Sequence, residues 1–126
     1  MRALLVEDEP IALNDFARTL EKAGHSVDKV PCGGQALAHL RVEKDNYDVL
    51  VVDLMTPNMG GLEFLYEAKK QDMLKCPVIV VTAYDPAHCS GLDCASVILC
   101  KPILSETLLE CVEKFGRAPR DGVRAE

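Results

Sequence analysis

Four continuous apolar runs, at residues 3–6, 49–52, 78–81 and 97–100, and one alternating run at 26–30 divide the chain. Short unbroken runs of Val, Ile and Leu suit strands buried on both faces, as in a parallel sheet. The half-polar run at 26–30 predicts a strand at the sheet edge. Helical spacing fills the intervals. Pro10 suits a first helical position; Leu13, Phe16, Ala17 and Leu20 follow on one face, and Gly24 ends the run. A second helix extends from Gly34 to about Lys44 with Leu37 and Leu40 on its apolar side. Leu62, Leu65 and Ala68 begin a third, which runs out before Pro77. Ser105 is placed to cap a last helix that buries Leu108, Val112 and Phe115. The fourth connection, residues 83–95, contains Pro86 and Gly91 and has little apolar periodicity, which predicts a loop or a shortened, irregular helix. Strands alternating with helices predict an α/β domain with right-handed crossovers.

At 126 residues the chain has room for one domain. Residues 1–116 form that domain in this reading, and the polar residues 117–126, with Pro119 and Gly122, form a frayed C-terminal tail. A net charge of −6 argues against a direct nucleic-acid footprint. No apolar run is long enough for membrane insertion, and the N-terminus reaches Glu7-Asp8-Glu9 too soon for a signal peptide, so the expected location is cytoplasmic. The six cysteines (Cys32, Cys76, Cys89, Cys94, Cys100, Cys111) contain no Cys-x-x-Cys pair, and reduced thiols acting as small hydrophobes are expected. His25, His39 and His88 lack metal-ligand spacing and read as surface residues, and Gly33-Gly34 reads as a loop or helix start.

Reactive side chains follow four of the predicted strands. Glu7 and Asp8 come after the first, Asp53 ends the third, Thr82 ends the fourth, and the fifth runs into Lys101. In a parallel sheet the carboxyl ends of all strands share one edge, where ligands bind. The carboxylates, the hydroxyl and the ammonium therefore belong to one small site. Carboxylates about 4 Å apart repel by roughly 4 kcal/mol at an effective dielectric near 20. Such a cluster attracts a hard divalent cation with oxygen ligands, and Mg²⁺ suits one or two carboxylates plus a phosphate. Thr82 and Lys101 are donors suited to phosphoryl oxygens, and a carboxylate can act as nucleophile towards phosphorus to give an acyl phosphate. Each residue alone also has a plainer role. Asp8 can cap a helix, Asp53 can close a turn before Pro57-Asn58, Thr82 can satisfy backbone, and Lys101 can be a solvated charge.

The stretches Leu4-Leu5-Val6-Glu7-Asp8-Glu9, Val51-Val52-Asp53-Leu54-Met55-Thr56-Pro57-Asn58-Met59-Gly60-Gly61, Val80-Val81-Thr82-Ala83 and Lys101-Pro102 together resemble the receiver domain of two-component response regulators. The resemblance covers about residues 2 to 116. It implies a flavodoxin-like receiver fold, a five-stranded parallel sheet in the order 2-1-3-4-5 flanked by helices. It also implies that Asp53 is a phosphoacceptor served by a histidine kinase or phosphotransfer protein. Asp8, Asp53 and the backbone carbonyl of Met55 would ligand Mg²⁺, with Glu7 acting through metal-bound water. Thr82 and Lys101 would contact the phosphoryl group, and the Lys101-Pro102 bond is commonly cis in the family. Met55 and Tyr84 fall where side chains tune dephosphorylation. Output would pass through a downstream protein target, and catalysis would be limited to the chain's own phosphorylation and dephosphorylation, so it would not be an enzyme in the ordinary sense.

Two departures from the family pattern bear on signalling. Ile98 stands where an aromatic residue is usual on the fifth strand, and Thr82 and Lys101 are 19 positions apart, a few fewer than usual. Residues 83–95 are therefore expected to carry the response to phosphorylation through Thr82. One alternative is a binding scaffold of this fold whose output is independent of phosphorylation. Another is an Asp-nucleophile phosphatase of the haloacid dehalogenase type, which would need an Asp where Met55 stands.

Overall fold

A computed structural model describes residues 1–56, 58–83 and 92–116. Its elements run β1 (Arg2–Val6), α1 (Pro10–Lys22), β2 (Ser26–Val30), α2 (Gly33–Glu43), β3 (Val49–Asp53), α3 (Gly61–Lys70), β4 (Val78–Thr82), β5 (Val97–Cys100) and α4 (Ser105–Phe115). The five strands pair in parallel in the order β2-β1-β3-β4-β5. β3 and β4 are buried throughout, as their unbroken apolar runs predict, whereas β2 buries only Val30 and lies at one edge. β5, whose unbroken run also predicts burial on both faces, lies at the other edge with none of its residues fully buried, because it pairs on one side only.

Successive strand residues point to opposite faces, so each run feeds two cores. Leu4, Val6, Leu50, Val52, Val78 and Val80 pack with Leu37 and Leu40 of α2 and with Phe64 and Leu65 of α3. Ala3, Leu5, Val49, Val51, Ile79 and Val81 pack on the other face with Phe16 and Leu20 of α1 and with Leu108 and Val112 of α4. Truncating one such leucine to alanine costs about 2–5 kcal/mol.

Helix ends depart from the sequence reading in three places. Ser105 is the first residue of α4 and does not cap it; Leu104 holds the cap position without a side-chain bond, and Phe115 is only half-buried. On α3 the inward set is Gly61, Phe64, Leu65 and Ala68, which leaves Leu62 46% exposed. A helix advances about 100° per residue, so a start at Gly61 turns Phe64 inward and Leu62 out. α2 begins at Gly33 rather than Gly34. Pro10 does open α1, and Gly24, with φ 96°, ends the turn that follows it.

In the fourth connection, residues 92–96 form a turn leading into β5, and 84–91, with Tyr84, Pro86, His88, Cys89 and Gly91, lie outside the described residues. So do Pro57 and the tail at 117–126. Cys32, Cys76, Cys94, Cys100 and Cys111 are free thiols, as expected, although only Cys32 is fully buried. His25 is not a plain surface residue. Its side chain is 11% exposed, with Nδ1 3.0 Å from the Met1 amine and Nε2 3.0 Å from Glu113 Oε2. No described helix is long and apolar enough to cross a membrane.

Candidate functional site

The carboxyl edge of the sheet gathers the chemistry. Glu7 follows β1 directly and extends its pairing, its N–H donating to the Val30 carbonyl at 3.1 Å. The backbone thereby carries the Glu7 side chain inward, where it is 1% exposed, while Asp8 faces solvent. Asp53 is the last residue of the central strand and is 3% exposed. Carboxylate oxygens of Glu7, Asp8 and Asp53 lie within 4.8 Å of one another. Lys101 reaches in from the end of β5; its Nζ donates to Glu7 Oε1 at 2.9 Å and to Asp53 Oδ2 at 3.2 Å. Its own N–H donates to the Thr82 carbonyl at 2.7 Å, and Thr82 is completely buried at the end of β4. The Lys101-Pro102 peptide bond is cis.

Three carboxylates against one ammonium leave the cluster two negative charges in excess. At 4.8 Å, each carboxylate pair costs about 3.5 kcal/mol at an effective dielectric near 20. The strain shows in Glu7, whose carboxyl is pushed up from its ordinary value by burial and by the Asp53 charge, against the opposing bond from Lys101. Burial would lower the Lys101 ammonium. The Glu7 bond and the Asp53 charge outweigh it and raise the group, which stays protonated at neutral pH. An all-oxygen donor set with an excess of negative charge and one solvent-facing member fits a hard cation that keeps part of its water shell, as Mg²⁺ does.

The plainer roles divide. Glu9, not Asp8, caps α1, accepting from Ala12 N at 2.8 Å. That leaves Asp8 without a capping duty. A proline at the first helical position points to the residue before it as the cap, so Glu9 was legible in the sequence. Lys101 is no solvated charge. Asp53 does serve a turn, since its Oδ1 accepts from Met55 N at 3.0 Å. Met55 itself is 51% exposed, at the mouth of the site.

Two further residues shape the site. A Cβ on Gly61 would sit 2.4 Å from the Asp53 carbonyl oxygen, so the first turn of α3 lies directly on the backbone of Asp53. Glu9 N donates to Glu7 Oε2 at 3.2 Å, so both Glu7 oxygens have donors.

Fold and site together define a doubly wound α/β domain with an acidic, lysine-bridged pocket at the carboxyl edge of its sheet. The chain belongs to the response regulator receiver domain family, which it matches over residues 3–113. It is 35% identical over 126 residues to the transcriptional regulatory protein TcrA of Mycobacterium tuberculosis, a match covering 95% of this chain and 49% of TcrA. The chain thus spans about half the length of TcrA. With the protein PilH of Pseudomonas aeruginosa it shares 33% identity over 115 residues, 88% of this chain and 93% of PilH. The chemotaxis response regulator CheY4 of Vibrio cholerae superposes with a TM-score of 0.82 at 29% identity, over 90% of this chain and 97% of CheY4. The response regulator TrrA of Thermotoga maritima, in complex with Mg(2+)-BeF, superposes with a TM-score of 0.77 at 28% identity, over 90% of this chain and 97% of TrrA.

Proposed function

We propose that the chain is a phosphoacceptor signalling domain whose acceptor is Asp53, charged by a histidine kinase or phosphotransfer protein and read by a downstream protein. The observation that carries this reading is the Lys101 ammonium bridging Glu7 and Asp53 within a cluster of three carboxylates that Asp8 completes. Asp53 is the member attached to the central strand and held at both oxygens, by Met55 N and Lys101 Nζ. In the transfer, an Asp53 oxygen forms a bond to phosphorus as the donor's P–N bond breaks, and the departing imidazole nitrogen keeps the bonding pair and takes a proton from solvent. The product is an acyl phosphate, which water later hydrolyses to restore the carboxylate.

Asp8, Asp53 and the carbonyl of Met55 would hold Mg²⁺, with Glu7 reaching it through water. The ion would offset the negative charge that builds when phosphate meets carboxylate. That TrrA, a response regulator of the same fold, was solved in complex with Mg(2+)-BeF supports this reading. Lys101 would neutralise one phosphoryl oxygen and Thr82 would donate to another. On this reading the chain catalyses only its own phosphorylation and dephosphorylation, and it works in the cytoplasm. The test is intact mass after incubation with acetyl phosphate and Mg²⁺. A single phosphoryl adduct is expected in the wild type and none in Asp53→Asn; equal labelling of both overturns the assignment.

Ile98 supports one second reading, that output does not depend on phosphorylation. It is half-buried on β5 against the α2–α3 core, and its β-branched side chain is stiff about its first torsion. Partner capture with and without beryllofluoride separates the two: equal capture favours the scaffold.

A further inference from the structure

The loop that leaves Asp53 is anchored at both ends. Leu54 N donates to the Val81 carbonyl at 3.2 Å and Met55 N to Asp53 Oδ1 at 3.0 Å. At the far end Gly61 N returns to the Leu54 carbonyl at 3.0 Å. Between these anchors stand Asn58, with φ 67°, and Gly60, which occupies the cap position of α3 without a side chain to hold it. Among the described residues, a hydroxyl closes the loop's interior. Thr56 Oγ1 donates to the Met59 carbonyl at 2.7 Å. The same carbonyl accepts from Gly33 N at 3.0 Å, at the first turn of α2, and a Cβ on Gly33 would sit 2.7 Å from it.

The peptide unit that joins Met55 to Thr56 is therefore bracketed: the unit before it is fixed by the Met55 N–H on Asp53, and the residue that follows it is fixed by the Thr56 hydroxyl on Met59. The bracketed unit carries the Met55 carbonyl. We infer that Thr56 is a positioning residue for the divalent cation, its hydroxyl holding the Met55 carbonyl in the orientation that binds the ion. This rests on the reading that Asp8, Asp53 and the Met55 carbonyl form the Mg²⁺ site. The side chain contributes no ligand itself; it removes the freedom that would otherwise be lost on binding. Valine has the shape of threonine without the donor. In Thr56→Val the Met59 carbonyl keeps its bond from Gly33 N, so no buried acceptor is orphaned and the fold loses little.

The experiment is a Mg²⁺ titration of the whole chain followed by amide NMR shifts, with thermal denaturation in metal-free buffer alongside. Thr56→Val is expected to raise the Kd for Mg²⁺ about tenfold. Thr56→Ser, which keeps the hydroxyl, is expected to restore binding to about the wild-type level, and the metal-free melting temperatures of both variants are expected to stay close to that of the wild type. Wild-type Mg²⁺ affinity in Thr56→Val, or a Thr56→Ser variant as weak as Thr56→Val, overturns the inference. So does a large fall in the metal-free melting temperature of Thr56→Val, which makes the role structural. Asp8→Ala distinguishes the two failures. If wild type binds Mg²⁺ and Asp8→Ala does not, an unaffected Thr56→Val sinks Thr56 alone; if Asp8→Ala binds like wild type, the metal reading falls and takes this inference with it.

Discussion

Lys101 carries more of the site's electrostatics than any other single side chain, because Glu7 and Asp53 are both nearly inaccessible and both accept from it. Replacing it with methionine leaves two buried carboxylates facing each other. Removing one partner of a buried ion pair costs about 3–5 kcal/mol, and because the Lys101 side chain is half-buried rather than fully buried, about 3 kcal/mol is expected at neutral pH. The sign with pH follows from Glu7. A carboxyl raised in the folded state is unfavourable when ionised, so its penalty is full above the raised value and disappears as pH falls below the ordinary one. The urea midpoint of Lys101→Met should therefore recover towards wild type on acidification. A deficit independent of pH would show that packing, not charge, is what the lysine supplies. Gly61 acts sterically. Gly61→Ala brings a methyl onto the Asp53 carbonyl oxygen and is expected to cost about 1–3 kcal/mol in a denaturant titration and to slow phosphoryl labelling.

The edge strand β2 is held by a polar clamp at the opposite, amino end of the sheet. Arg2 of β1 bonds Asp28 of β2 at 2.7 Å and Glu43 of α2 at 2.9 and 2.8 Å, with its guanidinium 4.8 Å from the centre of the Tyr47 ring. Tyr47, fully buried, donates to the same Asp28 oxygen at 2.6 Å. Burial pushes the Asp28 carboxyl up, but the Tyr47 and Arg2 bonds outweigh it and hold the group below its ordinary value. Stability from a depressed carboxyl is present above the ordinary value and is lost as pH falls through the lowered one. Tyr47→Phe is expected to cost about 1–2 kcal/mol at neutral pH and to shift acid unfolding to higher pH. An unchanged acid limb would remove Asp28 from the account. The clamp escapes sequence inspection because Arg2 and Asp28 are 26 positions apart and Arg2 and Glu43 are 41 apart, so no local periodicity links them.

On the proposed reading, metal binding would be linked to folding across the whole domain, because the three carboxylates come together only when β1 and β3 pair. At a Mg²⁺ concentration one hundred times its Kd, such binding is expected to stabilise the fold by about 2.7 kcal/mol, or about 10 °C in Tm for a domain of this size. Asp8→Ala is expected to abolish that rise and Glu7→Ala to reduce it; a larger loss in Glu7→Ala would reverse their roles. The strand positions, the edge character of β2, the α/β class and the placing of Glu7, Asp8, Asp53, Thr82 and Lys101 after their strands were all legible in the chain, because burial on both faces demands unbroken apolar runs and a parallel sheet aligns their ends. The inward turn of Phe64 and the assignment of Ser105 to the helix rather than its cap hinge on where α3 and α4 start, and local spacing does not fix that to one residue. The lysine bridge, the Thr56 closure onto α2 and the Arg2 clamp were decided by the tertiary structure alone. The bridge and the clamp join side chains 26 to 94 positions apart, and the loop closed by Thr56 meets α2 through the backbone of Gly33, so periodicity, which records only what a residue's near neighbours require, carries no trace of which distant partner will arrive.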